Sequence, residues 1–568
     1  GQTQFGRHRD DFGNWFGNNN PTWLWHYFFP EHYLARNPLL PLKTTKKLLA
    51  NYKDATFCFP ASRTLSRFND AFAANHVTSG NSPTPYRDEL FGSEFANSVF
   101  ISEPVHNLVH REVLEPDGVT FTSRRANDEA NTEFVASSDN WFRPTMLKTG
   151  PDGALYIADM YRLVIEHPEW IPAEMQKRLD LRAGDDKGRI YRVYPGGVKL
   201  RRVPNLVKLS ASELAGALDS PNGWQRDTAQ RLLLERGDKS VVSRIESLAK
   251  DAKSAKVRVQ ALWTLNGLNA LGDQALIDGL TDESAAVREH AVRLSEFSLS
   301  RAPASGEIAK RVLLLANDAN ARVRYQAAFT LGEWNDSRAA ETLLALLRDG
   351  DENIRNAALS SAPRHARAMF QLIERLPRDD RARTALVMLK KLATNPPALA
   401  GSTAIIERTK GVSAAHRAER ENIVRRYAAV STLRGNSTAG APLFKQHCSQ
   451  CHRLRDKGVE IGPDLGMASG KSIEQLVQAI LDPNAAVEAR YQLFTVTTSG
   501  DEEISGVIVS ETPNSLTLRA VSGGDRTFLR SAIVEISTSR FSLMPDGFES
   551  AMTPRQLADL IAFLTGRE

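Results

Sequence analysis

The chain of 568 residues contains only three cysteines, a scarcity that excludes a fold built on disulfides. It has no uninterrupted apolar run of about 18 residues, so this stretch carries no membrane-spanning helix. A charge excess of one sign is missing as well. The 72 Lys and Arg and 67 Asp and Glu are interspersed, leaving a formal +5, which argues against nucleic acid as a partner. Ser/His/Asp nucleophile patterns and glycine loops that cradle phosphate are not recognisable. No leader peptide is visible and residue 1 is glycine, so the front is expected to have been removed by processing or truncation. The length predicts several domains.

Two of the three cysteines stand in Cys448-Ser449-Gln450-Cys451-His452, the spacing at which a c-type haem is attached. Two thiols one helical turn apart each reach one vinyl group of a porphyrin, and the adjacent imidazole sits beneath the iron. A zinc site would need two further Cys or His ligands at suitable spacing, and Cys58 is the one thiol left. Upstream, Gly440 to His447 reads as a short helix anchored by Leu443 and Phe444; downstream, Ile461 to Leu465 is a turn-rich loop. The final helix, Pro554 to Leu564, has a capping box in Thr553, Pro554 and Gln556. Its apolar stripe is Leu557, Leu560, Ile561 and Leu564, and it stops at Gly566.

This arrangement resembles class I cytochromes c. The resemblance implies a methionine ligand in the loop before the last helix, which falls on Met544; Met467, Met552 and His447 are its rivals. The expected site is therefore haem c on Cys448 and Cys451 with His452 and Met544 as axial ligands. Such ligation raises the reduction potential and suits an electron acceptor. Covalent attachment of this kind predicts a periplasmic or otherwise exported protein, with membrane association left open. Between the helix Leu476–Leu481 and Met544, about residues 491–540, five short strands with tight turns predict a small inserted β-barrel. Shielding one haem edge and docking a partner are both open as its role.

Residues 205–375 repeat. Arg226, Arg258, Arg288, Arg324 and Arg355 recur about every 31 residues. Each follows an aspartate by six or seven positions: Asp219, Asp251, Asp282, Asp318 and Asp349. Each arginine opens an Ala/Leu-rich helix, and the pattern resembles HEAT repeats, in which stacking of helix pairs makes one continuous core. The Asp and Arg positions read as internal ladders rather than ligands for an anion. Residues 376–434 stay helical but lose the period; Pro396-Pro397 and the stretch from Gly435 to Gly440 mark the linker to the cytochrome-like region at 435–568.

Residues 1–200 are rich in aromatics, Gly, Asn and Pro, with strand signals at Pro151 to Asp159 and at Gly188 to Val193. These two phrases resemble blades of the glucose/sorbosone dehydrogenase β-propellers, members of which use pyrroloquinoline quinone. A blade takes about 40–45 residues, so this region would form only part of a ring. The whole chain resembles the multidomain membrane-bound dehydrogenase-type proteins of planctomycete and verrucomicrobial genomes, which carry a C-terminal haem-binding domain. The segments carrying that resemblance are Phe5 to Asp11, Gly13 to Asn20, Ser102 to His110, Asp139 to Pro144, Asp159 to Arg162, Glu166 to Pro168 and Ser542 to Pro545.

Candidate chemistry here rests on Glu103, His106 and His110, whose histidines would share a face if helical and form a metal pair, or else be hydrogen-bonded structural residues. Arg143, Asp159 and Arg162 are candidates to hold a quinone carboxylate, Ca²⁺ or a sugar, or equally to satisfy backbone groups. Asn18, Asn19 and Asn20 with Trp15 and Trp23 suit carbohydrate contacts or a capped loop. The expected architecture is thus a partial β-propeller, an α-solenoid, and an all-α cytochrome with a β insert. The leading functional expectation is an electron-transfer protein accepting electrons from a propeller dehydrogenase acting on sugar-like alcohols or aldehydes, and passing them to a partner protein. A non-catalytic relay scaffold recognising polysaccharide or protein, and a haem-based sensor, are the alternatives.

Overall fold

The computed structural model describes residues 6–63, 75–165, 171, 176–300, 306–394, 406–409, 414–454, 457–459, 461–485, 487, 491–520 and 524–566. Glu166 to Pro168 and Pro396-Pro397, both used above, lie outside the described residues.

The N-terminal part is three successive antiparallel sheets. The first runs β1 (His8–Arg9), β2 (Trp15–Asn19), β3 (Thr22–Tyr27) and β4 (Lys46–Leu48). The second runs β5 (Asn81–Pro85), β6 (Ser98–Glu103), β7 (Leu108–Asp117) and β8 (Thr120–Arg125), with β9 (Val135–Ala136) paired to β7. The third is β10 (Pro144–Thr149), β11 (Leu155–Asp159) and β12 (Arg189–Val193). Alternation along β6 sends Val99 and Ile101 into a core with Phe16, Trp23 and Leu24, while Phe100 enters a second core with Phe142, Leu147 and Ile157. The middle sheet is therefore covered on both faces. The region is sheet-rich, and the described strands show no ring closure of the expected propeller.

The middle is a helical solenoid. Helices such as Gly223–Arg236, Ala255–Gly267, Ala285–Ser300 and Ala321–Thr330 alternate with amphipathic partners such as Ser337–Leu346. One core runs from Leu214 to Leu392. The repeated arginines form the expected ladder. Nη1 of Arg258, Arg288, Arg324 and Arg355 donates to the carbonyls of Ala252, Asp282, Asp318 and Asp349 at 2.7, 2.8, 2.8 and 2.7 Å. The first three of these guanidinium groups also reach the aspartate of the next unit: Arg258 to Asp282 and Arg288 to Asp318 at 2.7 Å, and Arg324 to Asp349 at 2.8 Å.

The ladder departs from this rule at its first rung, where the partner of Arg226 is Asp11 of the first sheet, at 2.5 Å. That contact belongs to a broad internal interface. Arg87 bonds Asp11 and Asp227, each at 2.7 Å. Tyr33 stacks on Phe329 with ring centroids 4.3 Å apart, and Phe29, Leu34, Leu40 and Leu42 join the solenoid core. His290 accepts from Trp263 on Nδ1 at 2.9 Å and donates from Nε2 to the Phe12 carbonyl at 3.0 Å. One face of the solenoid is thus covered by the chain's own N-terminal part.

The C-terminal part begins before residue 435, inside the stretch 376–434 that was expected to be a purely helical linker. Strand β13 (Ile406–Thr409) pairs with the later insert, and Ile423, Tyr427 and Val430 lie in the same core as Phe444, Leu476, Leu557 and Ile561. Helices Ser437–His447 and Pro554–Thr565 cross tightly because Gly440 faces the Asp559 carbonyl, where a Cβ would clash. The capping box of Thr553 and Gln556 opens the last helix, and Gly566 in the left-handed region closes it. After the short hairpin β14 (Arg453–Leu454) and β15 (Lys457–Gly458) come the five insert strands: β16 (Gln492–Thr498), β17 (Glu503–Glu511), β18 (Ser515–Ala520), β19 (Asp525–Leu529) and β20 (Ile533–Ser542). With β13 they form a six-stranded path, β13-β20-β16-β17-β18-β19, and among the described residues no pairing of β13 with β19 closes it into the expected small barrel. The sixth strand, β13, runs parallel to β20, and bulges between Ile508 and Ser510 and between Gln492 and Phe494 bend the sheet over its own small core.

Candidate haem site

Cys448, Cys451 and His452 sit on one turn that continues the Ser437–His447 helix. The Cys448 N–H donates to Phe444 and the His452 N–H to Cys448, both at 2.9 Å. Both thiols are half-buried. Burial and the neighbouring Cys451 push the Cys448 thiol up to about 11, and burial raises Cys451 as well, so both are protonated near neutrality. The His452 imidazole is buried. Its Nδ1 lies 2.7 Å from the Pro463 carbonyl oxygen. Burial lowers its pKa, opposed by that carbonyl bond, so the ring is neutral with Nδ1 as donor and Nε2 left with its lone pair. A backbone carbonyl on the far nitrogen in this way orients a metal-binding histidine.

The loop after the motif is shaped around this ring. Cys451 carbonyl accepts from the N–H groups of Ile461 and Gly462, at 3.0 and 2.7 Å. A Cβ on Gly462 would lie 2.7 Å from the His452 ring, so only glycine admits the imidazole there. The Pro463 carbonyl and Gly462 were not foreseen as ring-positioning groups. The Gly462-Pro463 pair signalled a turn, but which carbonyl would meet His452 depends on the folded path of the loop.

Met544 is partly buried against the same apolar cluster as Cys448, Leu443, Leu465 and Phe548. Its rival Met552 is fully enclosed in that core, and His447 has its ring centroid 6.4 Å from that of Phe548. Met467 belongs to the short helix Leu465–Gly470. The donor set fits haem c: two adjacent half-buried thiols, one oriented neutral imidazole and a thioether on a common apolar surface.

The N-terminal candidates are engaged internally. His106 and His110 lie on a hairpin, β6 to β7, and not on a helix. Glu103 accepts from the backbone N–H groups of Thr78 and Ser79 at 3.2 and 2.9 Å and from that of His106 at 2.5 Å. Burial alone would raise its carboxyl, but the bonds from His106 and these N–H groups hold it at about 2. His106 Nε2 accepts from the Asn75 N–H at 3.0 Å. His110 is fully buried between Glu133 at Nδ1 and Glu112 at Nε2, each 2.8 Å away, with its ring stacked 4.2 Å from Trp23. Among the described residues, no group of three or more His, Cys, Asp or Glu side chains is placed to hold a metal ion.

Arg143 directs its guanidinium to the carbonyls of Pro104, Arg162 and Leu163 at 2.8, 2.9 and 2.7 Å. Asp159 accepts from the N–H groups of Arg143 and Tyr161 at 2.7 and 2.8 Å. The Arg143 guanidinium and Asp159 Oδ1 are thus engaged with backbone groups, the second of the two roles expected for them. Asn18 is wholly buried, and Trp23 is buried with its Nε1 donating to Ala55 at 2.7 Å, whereas Trp15 is exposed; they do not form one carbohydrate face.

Comparison with known families matches residues 437–504 to cytochrome c. The C-terminal region is a cytochrome c domain. Residues 308–396 match HEAT repeats, and residues 1–197 match a domain of unknown function (DUF7133). No curated protein matches the chain. Among solved structures, YibA of Escherichia coli is similar at 20% identity, covering 34% of this chain and 76% of its own, with a TM-score of 0.25. A designed armadillo repeat protein in complex with the peptide (KR)4 gives 17%, 33%, 100% and 0.25 for the same quantities. An archaeal HEAT-like repeats protein from Thermococcus onnurineus NA1 gives 18%, 42%, 94% and 0.24. The cytochrome c domain implies haem c and electron transfer to or from a partner, and suggests an exported protein. No helix among the described residues is long and apolar enough to cross a membrane.

Proposed function

We propose that this chain is the electron-accepting and relaying part of an exported, periplasmic redox system. Cys448 and Cys451 would hold haem c through thioether bonds, and His452 Nε2 and Met544 Sδ would ligate its iron. The observation that carries this reading is the Pro463 carbonyl on His452 Nδ1, which fixes the tautomer and ring orientation that an iron ligand requires. When bound, haem supplies reversible one-electron exchange. The chain's own residues orient and enclose it: Gly462 gives the imidazole room, Leu443, Leu465 and Phe548 supply apolar contact, and the thiols fix its register.

The electron source in this reading is a sugar-like alcohol or aldehyde dehydrogenase, to which the resemblance of the first 200 residues points. The internal engagement of Glu103, His106, His110, Arg143 and Asp159 favours a second reading of that region, as scaffold that seats the cytochrome instead of a catalytic centre.

Spectra of the purified full chain test the ligand set. The oxidised protein should show the long-wavelength charge-transfer band of methionine-ligated haem. Met544→Ala should abolish it and let the reduced protein bind CO, while Met552→Ala should only lower stability. A band retained in Met544→Ala would refute the distal assignment, and ready CO binding by the parent protein would favour a sensor. Dye reduction with aldoses, with and without added quinone, tests the electron source.

A further inference from the structure

The segment that follows Met544 is held by a helix lying outside the matched cytochrome region. Helix Ala414–Arg426 precedes residue 437, yet it directs two basic side chains at this loop. Arg420, itself 6% exposed, bonds Glu549 with Nη2 to Oε1 at 2.7 Å and Nη1 to Oε2 at 3.2 Å, and Nη1 also reaches the Leu481 carbonyl at 3.2 Å. His416 Nε2 lies 3.0 Å from Asp546 Oδ2. Just past the end of this helix, the Tyr427 hydroxyl donates to the carbonyls of Glu549 and Met552 at 3.1 and 2.8 Å.

The other side of the loop is pinned by the insert. Strand β20 ends at Ser542, whose N–H donates to Asn484 Oδ1 at 2.8 Å, and the same strand pairs in parallel with β13. Residues 542 to 552 are thus fixed at both ends by groups from 406 to 427 and from 481 to 484. Met552 anchors the far end of this segment in the core, but Met544 and Phe548 are only partly buried, so the polar contacts help decide where Met544 rests.

We infer that Arg420, through its paired bonds to Glu549, is a positioning residue that holds the Met544 loop against the haem face. The inference rests on Met544 being the distal ligand. A bidentate arginine–carboxylate pair fixes direction as well as distance, which a single lysine contact would not. Holding the thioether in place keeps the sixth position closed and the reduction potential high.

The test uses the full holoprotein and three substitutions: Arg420→Met, Glu549→Gln and Met544→Ala. Covalent haem is checked by mass and helical content by circular dichroism. The clamp variants should keep both, yet lose the methionine charge-transfer band at lower denaturant than the helical signal. Their reduced forms should bind CO faster by about tenfold or more. Arg420→Lys should restore the band only in part. If Arg420→Met does not mature, Glu549→Gln, which keeps size and shape, carries the same comparison. Unchanged band stability and CO rate in Glu549→Gln, with Met544→Ala losing the band, would overturn the clamp alone. An unchanged band in Met544→Ala would instead overturn the ligand assignment beneath it.

Discussion

Asn514 and Asn37 join the two ends of the molecule. The Asn514 Nδ2 group donates to the carbonyls of Asn37 and Leu34, at 2.7 and 2.6 Å, while the Asn37 amide donates to the Leu359 carbonyl in the solenoid at 2.7 Å. Ser515 adds a bond to the Leu42 carbonyl at 2.9 Å. Residues 34 to 42 are therefore gripped by the solenoid on one side and by the cytochrome insert on the other. Of the two roles open for the insert, docking fits this geometry, with the chain's own N-terminal part as the partner.

Asn514→Ala should leave buried carbonyls without a donor and cost about 1–3 kcal/mol of interdomain stability. Limited proteolysis should release the cytochrome region sooner, and small-angle scattering should report a wider particle. The haem spectrum should stay as in the parent, because no ligand is touched.

Gly462→Ala should displace His452. The added methyl would meet the imidazole at 2.7 Å and push it off the Pro463 carbonyl. Crowding of this sort typically costs about 1–3 kcal/mol. The measurable outcome is a lower yield of matured holoprotein with a shifted Soret band, whereas Gly196→Ala, at a position with open space and no left-handed backbone, should cost far less and leave the haem spectrum unchanged.

The sheet region should respond to alkali through His110. Burial alone would lower its pKa, but Glu133 and Glu112 outweigh it and raise it. A raised histidine adds stability that is complete below the unfolded value of about 6.5 and is lost as pH rises through the folded value. Stability followed by fluorescence should therefore fall above that range, and Trp23, stacked on the ring, is a local reporter. His110→Gln should flatten this slope while lowering stability at acidic pH.

The arginine ladder should show the opposite dependence. Burial acts to raise the Asp318 carboxyl, but bonds from Arg288 prevail and hold it below the ordinary range. That contribution is present above the unfolded value of about 3.9 and disappears as pH falls through the folded value. Arg288→Met should cost about 1–3 kcal/mol near neutrality and less in acid, measured by urea unfolding of the solenoid at both pH values.

Much of this was legible because the signals were local and periodic. The Cys448 to His452 spacing, the capping box at Thr553 and the recurring arginines depend on neighbours within a turn or one repeat. The insert strands were legible for the same reason, since β-branched and aromatic residues alternate between tight turns. What escaped depends on distant partners. Strand β13 lies outside the insert in sequence and pairs only because β20 offers a free edge. Arg420 looks like any basic residue on a polar helix until Glu549 arrives beside it. His106 and His110 sit four positions apart, but pairing of His110 with Ile101 and of Leu108 with Glu103 makes a hairpin with His106 in its turn. Whether β13 and β19 pair to close a barrel likewise depends on where these edge strands meet the rest of the fold.

The most direct test of the central claim is the mass of the peptide spanning Cys448 to His452 after denaturation and acid–acetone extraction. The account predicts that the colour stays with the protein and that this peptide carries one haem on its two cysteines. Extraction of all colour into the solvent, or a peptide with two free thiols, would contradict it.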